Sequence, residues 1–127
     1  MAETRYTRSH EWCRLEDGVA ICGLSQHAVD ELNDLTFLDF RVDPGEEVEQ
    51  GDVFGEIDSV KATSELIVPA SGTILAINDR FQDEEQLPEI NASPEDEGWL
   101  IKITATDPSE LDGYMDADAY AEFCASA

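Results

Sequence analysis

Apolar and polar positions in this chain alternate over short stretches, and turn residues bound most of them. Trp12 to Leu15 and Val19 to Cys22 flank Asp17-Gly18, the dipeptide that favours a tight hairpin turn. Gly23 ends the second strand. Ser25 then stands where a helix N-cap is expected, ahead of Ala28, Val29 and Leu32, which share one helical face. Leu35 to Phe40 reads as the next strand. Asp43-Pro44-Gly45, Gln50-Gly51-Asp52 and Pro69-Ala70-Ser71-Gly72 follow as turns. They separate the candidate strands Val53–Val60, Ala62–Val68 and Thr73–Ile77. Many short strands between frequent turns predict a sandwich or flattened barrel.

The rest of the chain is less regular. Residues 81–98 are acidic, contain two prolines and read as a long surface loop. Trp99–Thr104 is a final strand. Asp107-Pro108-Ser109-Glu110 has the form of a capping box with proline at the first helical position. Asp116 is placed to cap a second helix, on which Tyr120, Phe123 and Cys124 share an apolar face. Residues 1–8 are polar and read as a loose N-terminus. The 127 residues suit one domain, 1–127, and 42% hydrophobic content supports a modest core.

Charge narrows the partners. Thirty acids against seven bases give −23. Such a surface repels phosphate backbones and anionic lipid, so neither nucleic acid nor membrane is expected as a partner. It steers the protein toward basic patches, an attraction screened over roughly 8 Å at physiological ionic strength. The N-terminus has no apolar signal region, and no apolar run approaches the roughly 20 residues that span a bilayer. Cys13, Cys22 and Cys124 are odd in number and form no C-x-x-C pair, so neither a disulfide framework nor a zinc site is expected. They read as small, half-buried thiols of a cytoplasmic protein.

Chemistry concentrates on a scarce residue. The chain has two lysines. Lys102 alternates with Ile101 and Ile103 and reads as an outward strand position. Lys61 lies between two candidate strands, with Ser59, Ala62, Thr63 and Ser64 around it. A bend there would hold its ammonium in solvent, within reach of a modifying enzyme. With two histidines, His10 and His27, no catalytic triad or histidine-based metal set emerges. Ser25 and His27 are too local for a triad. The chain is therefore read as a non-catalytic component.

Residues 53–72, Val-Phe-Gly-Glu-Ile-Asp-Ser-Val-Lys-Ala-Thr-Ser-Glu-Leu-Ile-Val-Pro-Ala-Ser-Gly, closely resemble the lipoylation segment of glycine cleavage H-proteins. The family's usual form is Gly-x-x-Glu-Ser-Val-Lys-Ala-x-Ser-(Asp/Glu), followed by Pro-x-Ser-Gly. Ser9-His10-Glu11-Trp12, Gly45-x-x-Val48-x-x-Gly51, Gly98-Trp99-Leu100-Ile101-Lys102-Ile103 and Asp116-Ala117-Asp118-Ala119-Tyr120 resemble further family elements in the family's order. The resemblance implies a mainly β fold, a lipoyl/biotinyl-type barrel-sandwich hybrid with a short internal helix and C-terminal helices. It implies lipoic acid in amide linkage to Lys61, and a role as shuttle of an aminomethyl group. The implied partners are a pyridoxal-phosphate glycine decarboxylase, a tetrahydrofolate-dependent aminomethyltransferase, dihydrolipoyl dehydrogenase and lipoyl-attaching enzymes. Ser9, Glu11 and Glu65 match positions that line the cleft in which the loaded arm docks. A carboxylate there suits a cationic cargo.

The chain departs from the family pattern at three places. Asp58 replaces the usual Glu before Ser-Val-Lys, keeping charge but shortening reach. Asn33 replaces a usual Gly; if that position needs positive φ, Asn tolerates it best. The segment from Asn78 to Asn91 is about two residues longer than usual, and Pro94-Glu95-Asp96-Glu97 lacks the usual Tyr after Pro. Carriers of other systems share the hairpin, so a lipoyl relay to 2-oxoacid dehydrogenases or a sulfur-oxidation complex is the alternative. Biotin sites usually read Met-Lys-Met, which Val60-Lys61-Ala62 does not match.

Overall fold

The computed structural model describes residues 4–32, 34–95 and 97–126. Among the described residues, nine strands form two antiparallel sheets. β1 (Thr4–Tyr6), β2 (Glu11–Glu16), β3 (Val19–Leu24), β9 (Ile101–Ala105), β8 (Gly72–Ile77) and β5 (Glu47–Val48) lie in that order in a six-stranded sheet. β4 (Leu35–Phe40), β6 (Val53–Ser59) and β7 (Thr63–Ile67) form the second. The short internal helix α1 (Gln26–Leu32) links β3 to β4, and α3 (Ala117–Ser126) follows the strands. The mainly β class with these helices is as expected. No described helix is long and apolar enough to cross a membrane.

Local signals placed several elements well. β2 and β3 pair from Glu11↔Leu24 to Glu16↔Val19. Asp17 (φ 52°) and Gly18 (φ 80°) both take positive φ, as a two-residue turn matched to strand twist requires. The Ser25 hydroxyl accepts the Ala28 N–H at 3.1 Å, capping α1, which buries Ala28, Val29 and Leu32. Asp116 accepts the Ala119 N–H at 2.8 Å at the start of α3.

One core joins the sheets. Cys22, Ile74, Ile101 and Ile103 of the larger sheet meet Leu38, Phe54, Ile57 and Leu66 of the smaller, with the α1 face against them. A second cluster packs Tyr6 and Trp12 against Tyr120 of α3. Between β5 and β9, Gly72 leaves no room for a side chain. A Cβ there would lie 2.1 Å from the Thr104 carbonyl oxygen.

Four expectations need correction. Residues 1–8 are not uniformly loose: Thr4, Arg5 and Tyr6 pair with Arg14, Cys13 and Trp12. Tyr6 stacks on Tyr120 with ring centroids 4.4 Å apart, and its N–H and C=O both bond Met115. Burial of that one aromatic ring holds the segment down. Residues 81–98 are not one loop. They contain two 3-10 turns and the helix α2 (Pro88–Ala92), because Phe81, Leu87 and Ile90 are buried in the core. Pro108–Gly113 is a 3-10 helix in which Asp107 accepts from Ser109, while the Glu110 carboxylate turns away to bind the N–H and hydroxyl of Ser71. Cys13 and Cys22 are fully buried, with sulfurs 3.4 Å apart across β2 and β3, and only Cys124 is half-buried. The φ reading at Asn33 lies outside the described residues. Glu95, which follows Pro94 where the family usually has Tyr, accepts from the Tyr6 hydroxyl at 2.5 Å and from the Gln26 N–H at 2.9 Å.

Candidate functional site

Lys61 occupies the exposed tip of the β6–β7 hairpin, three residues past Asp58 of the last strand pair, Asp58↔Thr63. Ser59 ties the tip together. Its N–H donates to the Ala62 carbonyl at 2.8 Å, and its hydroxyl donates to the same carbonyl at 3.1 Å. That hydroxyl also accepts the N–H groups of Lys61 (3.2 Å) and Ala62 (3.1 Å). A short hydroxyl side chain at this position thus closes the loop through the backbone, leaving the Lys61 side chain uncommitted. The Val60 N–H bonds the Asp34 carbonyl at 3.1 Å, while its side chain is 65% exposed. Among the described residues no hydrogen bond or ion pair engages the Lys61 ammonium. Lys102 differs: half-buried on β9, its ammonium lies 4.6 Å from the centre of the Trp99 ring.

The other predicted site residues converge. Ser9 and Glu11, Leu24 and Leu32, and Ser64 and Glu65 line a cleft of about 140 Å³. Its volume is below the roughly 300 Å³ of ordinary ligand pockets, so it suits the end of an arm rather than a whole cofactor. Glu65 stands four residues from Lys61, about 13 Å along an extended strand. A larger depression of about 500 Å³ lies among Glu47, Glu49, Asp52, Thr73 and Thr106; it includes none of the predicted residues and no nucleophile–base pair.

Ser9 and Glu65 are exposed, but Glu11 is 1% exposed. It is not one more surface acid. Thr7 Oγ1 donates to Glu11 Oε1 at 2.9 Å, and the Ser9 hydroxyl donates to the same oxygen. The Ile67 N–H reaches Oε2 at 3.5 Å, tying the turn before β2 to β7. Thr7 and Ile67 were not legible as site residues, since their role depends on where Glu11 is buried. Burial pushes the Glu11 carboxyl up to about 7, against the opposing pull of the bonds from Ser9, Thr7 and Ile67.

This shift has a definite sign. Between about 4.5 and about 7 the folded chain retains a proton on Glu11 that the unfolded chain has lost. Its stabilising contribution is complete below that window and is lost as pH rises through it. Thermal melts from about pH 5 to about pH 8 should therefore show a decline that Glu11→Gln flattens, since the amide does not ionise. Parallel profiles for the two proteins would show that Glu11 does not titrate in this window.

The family model described as glycine cleavage H-protein matches residues 4–127. The chain belongs to the glycine cleavage H-protein family. The glycine cleavage system H protein of Thermotoga maritima is 42% identical over 125 residues, 98% of both chains. That of Alcanivorax borkumensis is 44% identical over 119 residues, covering 94% of this chain and 91% of its own. The crystal structure of a glycine cleavage system H protein from Mycobacterium marinum superposes with a TM-score of 0.84 at 32% identity, over 95% of each chain. In this member of the family, the segment resembling the lipoylation motif is the β6–β7 hairpin. Its departure at Asp58 leaves a buried oxygen, Oδ1, without a hydrogen-bond partner among the described residues.

Proposed function

We propose that this chain is the lipoyl carrier of a glycine cleavage system, with the lipoyl group in amide linkage to Lys61. The observation that carries the reading is the hairpin tip itself: a solvent-exposed lysine whose loop is closed by the Ser59 N–H and hydroxyl without engaging the Lys61 side chain. The residues fit the group. The Lys61 amine is open to a lipoyl-attaching enzyme, Ala62 leaves space beside it, and Val60 offers that enzyme an apolar contact. When bound, a lipoyl group supplies a disulfide that opens and re-forms and a thiol that carries an aminomethyl group.

The chain's own residues present, dock and shield, and supply no bond-making group. Lys61 gives the arm its swing. Leu24 and Leu32 give the cleft an apolar wall, Glu65 offers an exposed carboxylate to a cationic cargo, and Ser9 and Glu11 shape the opposite rim. Glu11 acts mainly by holding the rim to β7, because its oxygens are already engaged. The proposed partners are glycine decarboxylase, the aminomethyltransferase, dihydrolipoyl dehydrogenase and the lipoyl-attaching enzymes, met by one carrier domain in the cytoplasm. Protein produced in a lipoylating host should gain one lipoyl group by intact mass. It should then support exchange of labelled bicarbonate into glycine by glycine decarboxylase. An adduct without exchange would assign the carrier to another lipoyl-dependent system, and no adduct would refute the carrier reading.

A further inference from the structure

Away from the hairpin, the fold gathers three metal-ligating side chains from distant parts of the chain. His10 lies in the turn before β2, His27 in the first turn of α1 and Cys124 near the end of α3. One ligand atom from each lies within 4.8 Å of the others, and all three residues are half-buried. The imidazole centroids are 4.9 Å apart, inclined at 39°. Glu31, one turn after His27 on α1, has a carboxylate oxygen 3.6 Å from His27 Nε2.

The surroundings hold these groups in place. His10 sits at φ 69°, a left-handed conformation that few side chains adopt outside a built turn. The N–H of His10 bonds the Thr7 carbonyl, and its own carbonyl accepts the Ser25 N–H. Its Nδ1 is 2.6 Å from the Tyr120 hydroxyl, which is also 2.6 Å from Ser25 Oγ. A polar partner on one ring nitrogen is the device that orients metal-binding imidazoles elsewhere.

We propose that His10, His27 and Cys124 form a binding site for one borderline-soft divalent cation of the zinc class, with Glu31 or water in the fourth position. Two imidazoles and a thiolate select such an ion over magnesium or calcium, which prefer all-oxygen sets. Zinc–nitrogen bonds of about 2.0–2.1 Å and zinc–sulfur bonds of about 2.3 Å place tetrahedral ligand atoms roughly 3.3–3.7 Å apart. The cluster therefore closes by about 1 Å, a side-chain rotation for half-buried groups on a turn and two helices. On binding, the Cys124 thiol gives its proton to solvent and its sulfur a lone pair to the metal. Both imidazoles bind as neutral bases, and no electron is transferred. The net charge of −23 favours arrival of a cation. The bound ion would clamp α1 and α3 onto the turn whose Ser9 and Glu11 rim the cleft. His10 and Glu31 themselves line that cleft, so the site adjoins the proposed dock of the arm, while Lys61 is not among its ligands.

The test uses tag-free, reduced, unlipoylated full-length protein and Co²⁺ alone as the probe. One equivalent should produce a thiolate-to-cobalt charge-transfer band that Zn²⁺ displaces and excess Ca²⁺ does not. Cys124→Ser should abolish the band. Tyr120→Phe, which removes the orienting hydroxyl and keeps the ring, should weaken binding roughly ten- to a hundredfold. In the unsubstituted protein, one equivalent of Zn²⁺ should slow alkylation of Cys124 at least about tenfold, a readout that needs no variant. A band that survives Cys124→Ser, displacement by Ca²⁺, or unchanged alkylation would overturn the site.

Discussion

Lys61→Arg is expected to abolish lipoyl attachment outright while leaving the melting temperature within about 2 °C of the parent, as for other surface substitutions. The two halves of this expectation rest on different atoms. Attachment needs an amine that can become an amide; a guanidinium keeps the charge but not that chemistry. Folding needs only the backbone of residue 61, whose N–H bonds Ser59 Oγ. Arginine retains that N–H and an exposed side chain. Intact mass and a thermal melt of the same preparation check both halves. An adduct moving to Lys102 would be unexpected, since that ammonium lies over Trp99 on a half-buried strand. An adduct on Lys102, or one retained at full yield in the variant, would remove Lys61 from the proposed site.

Gly72→Ala is expected to destabilise the protein by about 3 kcal/mol or more, lowering its melting temperature by about 10 °C or more. Gly72 pairs with Ala105 of β9 on one side and Val48 of β5 on the other. An added Cβ would stand 2.1 Å from Thr104 O and 2.8 Å from Ile103 Cγ2. A flexible side-chain end could yield at such a distance, but a carbonyl in a hydrogen-bonded strand moves only with its strand. The cost is therefore one of space rather than of backbone conformation. Gly113→Ala is the internal control, because nothing lies within 4 Å of its added Cβ. It should change stability by no more than about 1 kcal/mol. Equal melts for the two variants would mean that β5, β8 and β9 separate more readily than their packing suggests.

What the chain reveals before folding is what it encodes locally. Asp17-Gly18 announces its turn because positive φ is a property of those two residues. Ser25 and Asp116 announce their helices because each binds an N–H three residues on. The same logic misled at Glu110. Its spacing suited a capping box, but its carboxylate is taken by Ser71, 39 residues earlier in sequence. Phe81, Leu87 and Ile90 were hidden by the acidic residues around them, although three apolar anchors suffice to fold that segment onto the core. Glu11 gave no sign of burial, since its type favours the surface and its partners Thr7 and Ile67 belong to different strands and turns. The His10, His27 and Cys124 cluster is harder still to foresee, because α3 must dock before the three meet. Lys61 was legible through a motif and a family resemblance. Spacing alone would have left it an ordinary surface lysine.

The pairing of Tyr6 with Met115 sets an order of events during synthesis. Both main-chain groups of Tyr6 are satisfied by Met115, and its ring rests on Tyr120. These partners are made more than a hundred residues later, so β1 has nothing to hold its outer edge while the middle of the chain emerges. The hairpin bearing Lys61 has no such delay, since β6 and β7 adjoin in sequence. Contacts of short separation close early and those of long separation late. The Lys61 hairpin is therefore expected to form first, and the N-terminal strand to lock last, after translation has passed α3.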